Sequence, residues 1–176
     1  MSEPKHKPKS TLKTERGRIM IFIDGSNLWY TCQMMNLEID YVKLVDHLIG
    51  KDKLVRASFY SGMDKENLAS SGWFYFMKRT GFRLVTKPLQ VNADGSKKAN
   101  LDVEMAVDMV SLADSFDTAI VLTGDGDLTY CLEHLMRCGK QVELVGSKLN
   151  TKDSLIFTAD KFIELESLRP FIAKST

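Results

Sequence analysis

Four aspartates stand where apolar runs meet turns or helix starts: Asp24 in IMIFIDGSN, Asp102 in KANLDVEMAVDM, and Asp125 with Asp127 in AIVLTGDGD. Carboxylates brought close together repel and raise one another's pKa unless something compensates. A hard divalent cation, Mg2+ or Mn2+, is the usual compensation for a set of oxygen donors. The four aspartates therefore read as a candidate metal site. Asn27, three residues after Asp24, can orient a carboxylate, contact a phosphate, or cap the helix it begins. Thr123 puts a hydroxyl beside the same position, where it can bond a phosphate or Asp24, or simply satisfy backbone groups at the strand end. Lys98, in the pair Lys97-Lys98 just before Asp102, suits a scissile or flanking phosphate, with a solvated loop pair as the competing reading.

Each residue alone has a plainer explanation. Asp-Gly is common in turns and at helix N-caps, which covers Asp24, Asp125 and Asp127. A carboxylate in the first turn of a helix favours the helix dipole, which covers Asp102. Their coincidence points to the metal site.

The elements that must position them alternate. Residues 19–23 and 118–122 are continuous apolar runs of strand length, as expected of strands buried on both faces. Each stops at an aspartate-bearing turn. In open parallel sheets ligands bind beyond the C-terminal strand ends, so Asp24, Asp125 and Asp127 converge if these two strands are neighbours. Further strands are predicted over 54–60, 82–85 and 141–145. Helices are predicted over 27–35, 40–49, 66–80, 101–113 and 128–137, with a short one near 154–159. Residues 88–99 read as a loop or hairpin turning at Asn92–Gly95. An apolar stretch spans 162–165, and Pro170 interrupts the closing segment. On the helix after Asn100, Asp102 shares a face with Met105, Ala106 and Met109, while Glu104 lies about 200° and Asp108 about 240° away. Strands alternating with helices imply an α/β fold with a mostly parallel sheet covered on both faces.

At 176 residues, 44% hydrophobic and 27% charged, the chain suits one globular domain. No apolar run approaches a membrane span, and the lysine-rich start lacks the apolar core of a secretory signal. Cys32, Cys131 and Cys138 lack C-x-x-C spacing, which suggests reduced thiols in a cytoplasmic protein and no zinc site. Residues 1–18 carry a net charge of +4 and the rest −3. The start reads as a disordered basic arm, either meeting phosphates or simply solvated. Trp73, Phe74, Tyr75 and Phe76 are consecutive, so on a helix they point all round. Most should pack, one or two could stack bases, and an exposed face there would favour a homodimer. His6, His47 and His134 are scattered and form no triad.

IFIDGSNLW, KANLDVEMAVDM and DTAIVLTGDGDLTYCLEHLMRCGKQVELVG, in that order, resemble the NYN domain family, relatives of PIN-domain nucleases. SLIFTADKFIELESL resembles its LabA-like branch. The resemblance covers residues 19 to about 168 and implies a domain over 19–170, with 171–176 as a tail. It implies a PIN-like three-layer α/β/α sandwich and an acidic pocket holding Mg2+ or Mn2+ for RNA cleavage. Asp24 and Asn27 match the family's D-G-x-N, Lys98, Asn100 and Asp102 its K-G-N-x-D, and Thr123, Gly124, Asp125 and Asp127 its S/T-G-D-x-D. Ala99 replaces a frequent Gly and Leu128 a common Phe. The implied activity is metal-dependent hydrolysis of RNA by Asp24, Asp102, Asp125 and Asp127, with Asn27, Lys98, Asn100, Thr123 and Gly124 binding substrate. A regulatory module that keeps the pocket but works by binding RNA or a protein partner is the alternative. A haloacid-dehalogenase-type phosphatase ranks lower, because Asp24-Gly25-Ser26 lacks the second carboxylate of D-x-D.

Overall fold

The computed structural model describes residues 15–63, 72–91, 95 and 97–174. Six parallel strands form the central sheet in the order β3-β2-β1-β6-β7-β8. They are β1 (Arg18–Asp24), β2 (Lys53–Met63), β3 (Arg83–Pro88), β6 (Thr118–Leu122), β7 (Gln141–Gly146) and β8 (Lys161–Glu164). A two-stranded antiparallel ribbon, β4 (Gln90–Val91) with β5 (Lys97–Lys98), stands apart. It is the expected hairpin, although residues 92–94 and 96 of its turn lie outside the described residues.

The apolar run of β1 is continuous because its two faces feed different cores. Ile19, Ile21 and Ile23 point to one, Met20 and Phe22 to the other. Helices α1 (Gly25–Met34), α2 (Tyr41–Ile49), α3 (Gly72–Arg79) and α7 (Leu165–Ile172) cover the first face through residues such as Leu28, Leu44, Met77 and Leu168. Helices α4 (Asp102–Ser111), α5 (Thr129–Arg137) and α6 (Asp153–Thr158) cover the second through Met105, Met109, Leu132 and Leu155. The result is the three-layer α/β/α sandwich.

Two elements differ from the sequence reading. The stretch after residue 160 is a sixth parallel strand, β8, rather than merely an apolar run. Helix α7 continues through Pro170 instead of being broken by it. Proline removes one helical hydrogen bond, but the burial of Leu165, Leu168 and Ile172 outweighs that loss. Arg169 adds an anchor, bridging Glu166 to the Met35 carbonyl, 2.7 Å away. Helix α3 is described from Gly72, so the first part of the expected helix, 66–71, lies outside the described residues.

Arg16 and Arg18, counted with the basic arm, are tied to the opposite end of the sheet from Asp24. Arg18 pairs with Asp117 at 3.0 Å, and Arg16 pairs with Glu143 at 3.1 Å. Among the described residues, no helix is long and apolar enough to cross a membrane.

The first turn after β1 depends on Gly25. A Cβ there would lie 2.3 Å from a Phe59 ring carbon and 2.7 Å from the Tyr60 carbonyl oxygen. The glycine lets α1 start flush against β2, which aims the end of β1 at the site. Gly25→Ala should therefore destabilise the fold by about 1–3 kcal/mol through overpacking, read as a lowered urea midpoint; an unchanged midpoint would mean that Phe59 simply moves aside.

Candidate metal centre

β1 and β6 are neighbours, paired from Ile19↔Thr118 to Ile23↔Leu122, so their C-terminal turns emerge side by side. Helix α4 crosses beneath them with Met105 and Met109 buried, which turns Asp102 toward the same place. Asp102, Asp125 and Asp127 each offer a carboxylate oxygen within 4.8 Å of the other two. These three come from two separate stretches of chain, and none is fully buried.

Asp24 sits beside them in a different setting. Its Oδ1 accepts the Asn27 backbone N–H at 3.0 Å, making it the N-cap of α1. Its Oδ2 accepts the Thr123 hydroxyl at 3.2 Å. Burial pushes the Asp24 carboxyl above the usual carboxylate range. The charges of Asp102 and Asp125 push the same way, while the bonds from Asn27 and Thr123 oppose it. Asp24 thus lines the pocket next to the three-carboxylate cluster but does not fall within its 4.8 Å set.

The loop after β6 is built to hold its aspartates out. Thr123, 1% exposed, accepts the Asp125 N–H at 3.1 Å while donating to Asp24. Asp125 Oδ1 accepts the Asp127 N–H at 3.1 Å and caps a short 3-10 turn over Gly126–Leu128. Gly124 lies against the next loop, where a Cβ would be 2.5 Å from the Asn150 carbonyl oxygen and 3.2 Å from Asn27 Nδ2. Asn100 Oδ1 accepts the Asp102 N–H at 2.8 Å, so its side chain presents Asp102 at the start of α4. Lys98 is placed by its backbone in β5; its side chain lies outside what is described.

Glu104 and Asp108 face elsewhere, as the helical wheel requires. Glu104 pairs with Lys87 at 2.8 Å. Asp108 pairs with Arg83 and accepts the Tyr60 hydroxyl at 2.8 Å. Burial and the Asp108 bond push the Tyr60 phenol well above its ordinary range. This network fastens α4 to β2 and β3.

A pocket of about 390 Å³ over the centre is lined by Asp24, Asn27, Tyr60, Asn100, Asp102 and Asp125, among others. The donor set is all oxygen, and no ion pair reaches Asp24, Asp125 or Asp127 among the described residues. A hard divalent cation fits such a set.

The profile of the NYN domain family matches residues 18–166. The chain belongs to the NYN family. Within it, this NYN protein falls in the LabA-like branch. It is 28% identical over 166 residues to the low amplitude and bright protein LabA of Synechococcus elongatus, spanning 90% of this chain and 89% of LabA. A Vibrio parahaemolyticus protein of unknown function has a similar structure, with a TM-score of 0.76 and 26% identity over 89% of this chain and 96% of its own. Both matches run nearly the full length of the NYN chain, so the centre described above lies well inside the shared fold.

One feature beside the centre was not legible as functional in the sequence. Trp29 and Tyr30, on α1, are 60% and 56% exposed. Helical spacing contained the signal: Ser26, Trp29, Tyr30 and Gln33 share one face, opposite Leu28, Thr31 and Cys32. By contrast Trp73 is packed, its ring edge-on to Phe59 and Tyr41 at 5.4 and 6.5 Å. Tyr75 and Phe76 are exposed.

Proposed function

We propose that this protein is a metal-dependent ribonuclease that hydrolyses phosphodiesters at the carboxylate cluster. The observation that carries the reading is the gathering of Asp102, Asp125 and Asp127 within 4.8 Å, at the C-terminal strand ends of an NYN-family chain. A polyanionic substrate would be repelled by such a cluster standing alone, so substrate and pocket are compatible only through a cation.

Asp102, Asp125 and Asp127 would hold Mg2+ or Mn2+, with Asp24 as the adjoining carboxylate. The bound ion would supply an activated water and stabilise charge on the phosphoryl oxygens. The chain's own residues do the positioning. Thr123 fixes the Asp24 carboxylate and the Asp125 loop together, and Asn100 holds the first turn of α4 so that Asp102 faces the pocket. The Asn27 amide lines the same pocket, where it would meet a phosphate oxygen, and Lys98 would supply a cation.

The test is incubation of the purified full chain with labelled single-stranded RNA in EDTA, Mg2+ or Mn2+. Cleavage that needs metal and stops on chelation is expected. Salt-sensitive RNA binding with no cleavage in either metal would overturn the enzyme reading in favour of a regulatory module that binds RNA.

A further inference from the structure

We propose that the groove next to the metal centre is a base-stacking subsite for single-stranded RNA, with Trp29 and Tyr30 as its platforms. The inference rests on the nucleic-acid reading of the centre and extends it to the form of the substrate.

A groove of about 870 Å³ runs between α1 and the ends of β2. It joins the metal pocket directly: Ser26, Tyr30 and Ala99 line both. A strand leaving the centre on that side therefore passes Tyr30, the one aromatic of the three. Trp29 and Tyr30 follow Asp24 by five and six residues on a helix that Asp24 itself caps. At 1.5 Å per residue they stand about 8 Å along the axis from the carboxylate, a little over two nucleotide steps at about 3.4 Å each.

The lining favours bases over phosphates. Phe59 and Trp73 form an edge-to-face pair, with centroids 5.4 Å apart, in the groove wall. Among the described residues its charged members are Glu38 and Lys174, which face each other at 3.9 Å. An aromatic wall of this kind binds π-faces, and stacking on it tolerates any base. In a duplex those faces are already stacked on neighbouring bases, so only an unpaired strand can use the groove.

The test measures binding by fluorescence anisotropy with a single-stranded RNA of about ten nucleotides, a length within the usual range for such sites. The full chain carries Asp125→Asn to prevent cleavage during the measurement. Trp29→Ala and Tyr30→Ala, both at exposed positions that should not disturb folding, are each expected to weaken binding about 5- to 100-fold. Trp29→Phe and Tyr30→Phe should retain most of it. An RNA of the same length with abasic sites should bind as weakly as the alanine variants do, and a duplex more weakly than the single strand. Equal binding by the alanine variants, by abasic RNA or by duplex would overturn the proposal. So would a dimer, seen by sedimentation, that Trp29→Ala dissolves, since a second copy would then occupy the face. The two readings separate cleanly. Metal-dependent cleavage unaffected by both alanine changes would retain the nuclease and sink the subsite. Ring-dependent, single-strand-selective binding with no cleavage in any metal would retain the subsite and sink the nuclease.

Discussion

Asp125→Asn should lower metal-dependent RNA cleavage by more than about a hundredfold, and in the absence of metal it should melt at a higher temperature than the unaltered chain. The first effect follows from the donor set. Losing a partner that merely orients a metal ligand costs about 10–100-fold, and a carboxylate in the cluster itself should cost more. The second follows from repulsion. Two unit charges at 4.8 Å, the outer limit of the cluster, repel by about 1 kcal/mol in water-like surroundings and about 3 kcal/mol at an effective dielectric near 20. The cluster is partly exposed, so the lower figure applies. Asparagine keeps the Oδ1 acceptor that caps the Asp127 turn while removing the charge. For a chain of 176 residues, about 1 kcal/mol corresponds to a rise of roughly 2–4 °C in Tm. Adding Mg2+ at about 100 times its Kd should then stabilise the unaltered chain by about 2.7 kcal/mol and leave the variant nearly unmoved, which reverses their order. A variant that cleaves normally, or that melts lower without metal, would remove Asp125 from the centre.

Thr123→Val should be damaging although Thr123 touches no solvent. Its hydroxyl is the one group that serves both Asp24 and the Asp125 loop. Valine keeps the shape and leaves a carboxylate oxygen and a backbone N–H without this partner, at about 1–3 kcal/mol. Metal affinity, read by calorimetry, should fall about 10–100-fold as the aspartates lose their shared anchor, and Thr123→Ser should restore it. The stability loss should depend on pH. Burial already raises the Asp24 pKa, so folded Asp24 keeps its proton to higher pH than unfolded Asp24. Its contribution is most favourable below the ordinary carboxylate range and is lost as pH rises through the raised value. The Thr123 bond opposes that shift, so removing it raises the value further. The variant's deficit should accordingly be larger near neutral pH than in acid. A deficit that is constant across pH would show that Asp24 does not feel the hydroxyl.

The centre was legible in the sequence to the extent that local pattern determines it. Continuous apolar runs that stop at Asp24 and at Asp125-Gly126-Asp127 locate two strand ends, and the helical wheel of residues 102–109 separates Asp102 from Glu104 and Asp108. Strand order was not local information. That β6 lies against β1, although two main-sheet strands, the ribbon and several helices intervene in the chain, is a matter of tertiary packing. The division of labour among the aspartates was also hidden. All four read alike, yet Asp24 spends both oxygens on hydrogen bonds whereas the other three make the close cluster. Asn100, expected to bind substrate, is engaged inside the chain through Asp102, and Thr123, read as bonding a phosphate or Asp24, bonds Asp24 and also accepts from Asp125. Pro170 misled because its local cost is real; three buried neighbours on α7 outweigh it. Trp29 and Tyr30 went unread although the spacing of α1 sets them opposite Leu28, Thr31 and Cys32, because spacing alone does not say that their face adjoins the centre.

The anchoring of Arg16 and the position of Lys174 bear on how this protein is best handled. Arg16 is held by Glu143 and by the Thr118 hydroxyl, which donates to its carbonyl, at the N-terminal ends of their strands. Six steps of β1 separate that end from Asp24, about 20 Å. Lys174 instead lines the aromatic groove, its N–H bonded to the Glu38 carbonyl at 2.9 Å. The chain thus enters the described fold at Arg16 far from the carboxylates and leaves it at Lys174 beside the groove. An engineered attachment point for binding work is therefore better placed near Arg16 than near Lys174.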